Sequence, residues 1–147
     1  VKFSASVFSK NGLKKFVDIR KNLDELDRQT NALIALEIRN GAIKLLNENK
    51  DGPRRQRYNP KRIVNAAPPG SPPNTDTGRL VQSIKVEKGE GNSFLVGTNL
   101  KYGAWLEFGT RQMDARPWLS VAVKLTSKKL KEISRTAYQN LIKRLIS

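Results

Sequence analysis

The chain reads as an α+β domain in which long helices at both ends enclose a small antiparallel hairpin, and three observations predict it. Apolar residues recur at helical spacing across residues 18–49 and again from Pro117 onward. Alternation of period two is confined to residues 83–98, where a glycine-containing turn separates two short runs. Between these blocks, residues 51–75 carry no apolar periodicity. At 147 residues the expectation is one domain spanning 1–147, with 51–75 as an extended basic and proline-rich arm.

Taken in order, Val1, Phe3, Ala5 and Val7 alternate and suit a short strand, and the N-terminus lacks the apolar run of a signal peptide. Asp18 to Asn49 predicts a long amphipathic helix, with Ile19, Leu23, Leu26, Leu33, Ile34, Ile38, Leu45 and Leu46 as its stripe. Gly41 weakens that helix by about 1 kcal/mol relative to Ala and marks a candidate kink. So long a helix outruns a domain of this size, so part of its stripe is expected to pack on a neighbour. The arm holds Arg54, Arg55, Arg57, Lys61 and Arg62 with Tyr58, then a proline-rich strap that leads to Thr77 as a helix cap. Leu80, Val81 and Ile84 then point inward. Ser83–Lys88 and Ser93–Thr98 form the hairpin around Gly89-Glu90-Gly91-Asn92. Tyr102–Phe108 suits a short helix ended by Gly109. Pro117 opens a terminal helix of about 42 Å, with Leu119, Val123, Leu130, Ile133, Ala137, Leu141 and Leu145 inward.

Composition narrows the function. Hydrophobic content is 37%, which leaves a modest core and surfaces that meet something else. No stretch approaches the roughly 18 apolar residues of a membrane span, so no membrane partner is expected. The net charge is +15, and it is uneven. Residues 51–75 hold five basic residues against one acid and residues 121–147 hold seven against one, while 76–120 is almost neutral. Such fields attract nucleic acid or acidic protein surfaces, although a charged helix is also an ordinary solvated face.

Catalysis finds little support. There is no His and no Cys, which removes the commonest general base, thiolate nucleophiles and structural zinc sites. Asp76, Glu107 and Asp114 stand singly near the motifs, without the carboxylate clustering that a Mg²⁺ nuclease needs. No glycine-rich loop ends in Lys-Ser/Thr. The expectation is no enzyme activity, no cofactor and no metal.

Candidate interface residues remain. Tyr102, Trp105 and Phe108 recur every three residues, which favours a core face, with Trp105 or Trp118 as a subunit anchor in the other reading. Glu107 lies four residues before Arg111 and suits an ion pair, a cap, an intersubunit contact or a plain surface acid. Arg79 and Arg116 sit beside turns, where they bond carbonyls or meet a neighbour.

Two motif blocks carry a resemblance. Pro68-Pro69-Gly70-Ser71-Pro72-Pro73 runs into Asp76-Thr77-Gly78-Arg79-Leu80-Val81-Gln82-Ser83-Ile84. The second block has Val96-Gly97, then Tyr102-Gly103-Ala104-Trp105-Leu106-Glu107-Phe108-Gly109-Thr110, then Ala115-Arg116-Pro117-Trp118-Leu119. The combination resembles the small neck proteins of long-tailed phages, the head–tail joining or tail-completion proteins, over roughly residues 20–146. Gly103 after Tyr102, and Trp118 where Phe is usual, depart mildly from the pattern.

The resemblance implies a virion structural protein made in the host cytoplasm and placed at the head–tail interface. It implies a homo-oligomeric ring, usually sixfold, between the head-side connector or stopper and the tail terminator or tail tube. Genomic DNA would pass through the channel without sequence-specific contact. The competing reading is a small basic nucleic-acid-binding module, although no helix-turn-helix, zinc-finger or RNA-recognition pattern occurs. The tail terminator or stopper ring of the same neck is a further alternative. Arg54, Arg55, Arg57, Tyr58, Arg62, Arg79, Trp105, Glu107, Arg111, Arg116 and Trp118 are the interface candidates.

Overall fold

The two long helices lie antiparallel against each other, with the core at one end of the pair and one hairpin reaching along the first helix as far as Asp24. The computed structural model describes residues 10–58 and 60–146. The proposed N-terminal strand at Val1, Phe3, Ala5 and Val7 lies outside the described residues, and so does the Leu145 side chain. Helix α1 covers Lys10–Asn47, and α4 covers Leu119–Ile146. Between them come strands β1 (Arg54–Tyr58) and β2 (Lys61–Asn65), helix α2 (Arg79–Ser83), strands β3 (Lys85–Lys88) and β4 (Phe94–Gly97), and helix α3 (Lys101–Phe108). This is the expected α+β order with one addition, a second hairpin.

α1 begins earlier than its apolar stripe suggested and runs 38 residues, about 57 Å. Gly41 does not interrupt it. A Cβ at that position would lie 2.6 Å from Thr126 Cγ2, so the glycine lets α4 approach closely. Two further contacts fix the pairing of the helices. Lys129 Nζ reaches Glu37 Oε1 at 2.7 Å, and the Tyr138 hydroxyl bonds Asp27 Oδ1.

The core is small and sits where α1, α2 and the start of α4 converge. It comprises Ala42, Leu45, Leu46, Leu80, Ile84, Trp118 and Ala122, with Val81, Val96, Tyr102 and Leu106 packed around it. Leu80 and Ile84 are buried as their spacing predicted. The stripe of α1 thins toward its N-terminal half, where Leu23 and Leu33 are exposed, as is Val123 on α4. The apolar rows of the two helices therefore outrun the core they build.

β3 and β4 pair antiparallel, with Val86 opposite Val96 and Lys88 opposite Phe94. This is the hairpin read from sequence, and it packs on α1. Asn31 Nδ2 donates to Asn92 O at 3.0 Å, Asn92 Nδ2 to Asp24 O at 3.0 Å, and Arg39 Nε to Ile84 O at 3.0 Å. α2 starts behind Gly78, which takes φ 75°, with no side-chain cap bond; Thr77 does not cap it as expected.

The largest correction concerns residues 51–75. The basic half is a hairpin, with Arg55 opposite Val64 and Arg57 opposite Arg62. Only the proline half is an irregular strap. β1 is exposed along its whole length, and β1 and β2 form a two-stranded sheet of their own, separate from β3–β4. An arm is present, but its basic part is a paired ribbon.

Candidate interaction surface

The strap is anchored to the body by short polar side chains. Asn74 Oδ1 accepts from Lys50 N at 3.0 Å, while its Nδ2 donates to Lys50 O at 2.8 Å and Asn65 O at 3.1 Å. The Thr75 hydroxyl donates to Leu46 O at 2.8 Å, near the end of α1. Ala66 N donates to Pro53 O at 3.0 Å and closes the base of the hairpin. Each bond satisfies a main-chain group that would otherwise lie unpaired at the junction of arm and helix.

Asp76 ties the hairpin down. Arg62 grips its carboxylate through Nε and Nη2 at 3.0 and 2.7 Å, and Arg57 Nε stands 3.9 Å from the other oxygen. Asp76 therefore serves two of the five cations of the arm. Arg62 is half-buried by this contact. Arg54, Arg55, Arg57 and Tyr58 remain exposed on β1.

Register sorts the hairpin's faces. Arg55, Arg57, Arg62 and Val64 share one side, and Arg54, Gln56, Tyr58, Lys61 and Ile63 the other. The first side looks across a cleft of about 520 Å³ toward Asn74, Leu106, Met113 and Arg116. Arg116 Nη1 donates to Ala67 O at 2.9 Å, so the far wall is pinned to the strap. The structure thus brings Arg55, Arg57, Arg62 and Arg116 around one cleft.

Glu107 is neither a partner of Arg111 nor a plain surface acid. α3 ends at Phe108, so Arg111 leaves the helix face on which an i, i+4 pair would form. The Glu107 carboxylate instead accepts from Trp118 N at 2.8 Å and Leu119 N at 2.9 Å through Oε2, and from Ser120 N at 3.0 Å through Oε1. It caps α4 from another helix, supplying the acceptors and the negative charge that a helix N-terminus favours. Burial pushes its pKa up, but the Ser120 hydroxyl and the amides of Leu119, Trp118 and Ser120 outweigh burial, and the carboxyl titrates below its ordinary range.

The two tryptophans separate sharply. Trp118 is 2% exposed, and its indole N–H donates to Gly103 O at 3.0 Å. It is core, so its candidacy as an interface anchor falls. Gly103 is required beside it: a Cβ there would lie 2.5 Å from Thr98 Cγ2 and 3.3 Å from Leu80 Cδ1. Trp105 is 53% exposed and Phe108 83%. The expected core face of α3 is therefore confined to half-buried Tyr102 and Leu106, while Trp105 and Phe108 form an apolar outer face. Arg79, at the first position of α2, and Arg111, beyond α3, are exposed.

Sequence reasoning missed the clamp role of Asp76 and the bridging role of Asn74. The turn-forming run Asn74-Thr75-Asp76-Thr77 was the available signal. Among the described residues no group of three or more acidic side chains stands ready to hold a metal ion, and no helix is long and apolar enough to cross a membrane.

Residues 57–109 match the HK97-gp10-like family, described as "Bacteriophage HK97-gp10, putative tail-component". The match agrees with the phage neck and tail-completion resemblance carried by the two motif blocks. It runs from the end of β1 through the strap, α2, the β3–β4 hairpin and α3 to Gly109, and leaves out both long helices. The likeness is to a structural component of a phage tail. No curated protein and no solved structure matches the chain.

Proposed function

We propose that the protein is a non-enzymatic structural component of a phage neck, which completes the tail or joins it to the head as part of a ring around the DNA channel. The family match carries this reading, because it falls on the segment that holds both the strap and the exposed Trp105–Phe108 face. In the proposed ring, the body packs side by side with its neighbours through aromatic anchors of the kind enriched at protein interfaces. The basic arm reaches a neighbouring subunit or an adjacent ring of connector, stopper, terminator or tube. Catalysis is not part of the role.

Two readouts test this reading. Native mass spectrometry and negative-stain imaging of the purified protein should reveal closed rings, sixfold if the usual symmetry holds. Antibody against the protein should label the head–tail joint of virions. Exclusive label on the capsid shell or the tail tip would overturn the placement. Strictly monomeric protein that is absent from virions would favour the nucleic-acid-binding alternative.

A further inference from the structure

The cleft between the β1–β2 hairpin and the body has more cation than its own acids use. Among the described residues Asp76 is the one carboxylate that lines it, and Arg62 occupies one of its oxygens with two N–H groups. Arg57 stands at the margin of ion-pair distance, and Arg55 on the same face has no carboxylate partner among the described residues. No acidic residue occurs anywhere from Gly52 to Thr75. The cleft is also apolar in part, through Val64, Leu106 and Met113.

The hairpin itself is incomplete as a piece of sheet. Among the described residues it has two strands, so each has one edge without a strand neighbour there. A lone two-stranded ribbon is marginally stable in water, and unpaired edges are templates for a further strand. An extended segment laid along such an edge gains main-chain hydrogen bonds, and its side chains alternate between the two faces.

We propose that this cleft takes an extended acidic segment of a partner protein, which adds a strand to the hairpin and sets its carboxylates against Arg55 and Arg57. Its apolar side chains alternate onto the opposite face of the ribbon, beside the exposed Tyr58 and Ile63. A second copy of this chain is a poor occupant of the cleft, since its 13 acidic residues are scattered among 28 basic ones and their densest run, Asp24-Glu25-Leu26-Asp27, is held in α1 rather than in an extended segment. Duplex DNA also fits poorly, because its phosphates line a rod, whereas these arginines face inward across a cleft of about 520 Å³. Arginine's planar fork suits carboxylates, and Arg62 already sets two of its N–H groups on one oxygen of Asp76. The inference rests on the neck reading only for the presence of a partner.

The test uses the full chain and a fluorescent peptide of about ten residues alternating Glu and Val, long enough to pair along one strand edge. Its Lys–Val counterpart and a short DNA duplex serve as competitors. The Glu–Val peptide should bind, the Lys–Val peptide should not compete, and the duplex should compete poorly. Arg55→Gln with Arg57→Gln should weaken binding about tenfold or more, whereas Lys128→Gln with Lys131→Gln, an equal charge loss on α4, should change it less than about twofold. Equal losses from both double variants, or better competition by the duplex, would overturn the proposal. So would absence of peptide binding by a chain whose circular dichroism is unchanged. Closed rings in native mass spectra alongside no peptide binding would leave the neck reading standing and remove this one.

Discussion

Glu107 on α3 and Trp118 at the head of α4 are joined by a carboxylate–amide bond of 2.8 Å, and the same carboxylate holds the next two amides of the helix. One side chain therefore sets where α4 begins and how α3 sits against it. Trp118 returns the contact by donating its indole N–H to Gly103 on α3. The motif that marks the resemblance, Glu107-Phe108-Gly109-Thr110 followed by Arg116-Pro117-Trp118, is thus a fold staple.

Loss of that staple should be measurable. Glu107→Ala is expected to lower stability by about 1–2 kcal/mol, the scale of losing a helix N-cap. Trp118→Ala, which empties a core position and orphans the Gly103 carbonyl, should cost about 3–5 kcal/mol. Urea unfolding followed by circular dichroism reads both. A Glu107→Ala protein as stable as the wild type would mean that water replaces the cap without loss.

Acid should reveal the same contact. The folded-state pKa of Glu107 lies below its ordinary value, so the unfolded chain binds the proton more readily. Its contribution is complete above the ordinary glutamate range and is lost as pH falls through the folded-state value. Wild-type stability should therefore drop on acidification below about pH 4.5, and Glu107→Gln should show a shallower drop over the same interval. Parallel stability–pH curves for the two proteins would remove Glu107 as the source.

Asp76 is expected to govern the arm locally. Asp76→Asn keeps the side chain's shape but removes the charge that Arg62 and Arg57 share. Partly exposed pairs contribute little globally, so overall stability should change by less than about 1 kcal/mol. Amide exchange across Arg54–Asn65 should nevertheless speed up, and trypsin should cut there sooner, since local opening is controlled by local contacts. Unaltered exchange in the hairpin would show that the Asn74 bridges alone hold it.

How much of this was legible in the sequence depends on whether side chains or main chain do the holding. Leu80 and Ile84 were placed inward by spacing alone, because both meet the core at one short helical turn. The β3–β4 hairpin was legible because Val86, Phe94 and Val96 alternate. β1–β2 was not, since Arg54-Arg55-Gln56-Arg57-Tyr58 contains no apolar alternation and its strand is exposed throughout. That ribbon is held by main-chain bonds and by Asp76, fourteen residues from Arg62. Tyr102, Trp105 and Phe108 show the opposite failure. Their period is right for a buried stripe, but α3 is only 8 residues long and buries the neighbouring face through Gly103 and Leu106.

The exposed pair on α3 should separate assembly from folding. Trp105→Ala and Phe108→Ser remove apolar surface that the isolated subunit leaves largely in water, so each should change unfolding free energy by less than about 0.5 kcal/mol. If that face is a subunit contact, the two together should shift native mass spectra from rings toward monomers, as aromatic anchors at an interface centre predict. Rings of undiminished abundance would place the contact elsewhere, and the exposed apolar residues Leu33, Leu36 and Leu125 would be the next candidates.

The cations of α4 give the last expectation, and the structure refines which of them are available. Lys129 is engaged with Glu37, whereas Lys124, Lys128 and Lys131 are exposed. If these side chains line a DNA channel, binding to free duplex should be weak, independent of sequence and steeply salt-sensitive. Each neutralised phosphate adds about −0.9 to the log–log salt slope. Lys124→Gln, Lys128→Gln and Lys131→Gln together should lower binding uniformly across unrelated duplexes and flatten that slope by up to about 3, with circular dichroism unchanged. Lys129→Gln alone should act differently, because it leaves Glu37 without its partner across the α1–α4 seam. Competition titrations on several duplexes at two salt concentrations decide the matter. A preference above about a thousandfold for one sequence, the range of specific regulators, would instead make this chain a nucleic-acid-binding module.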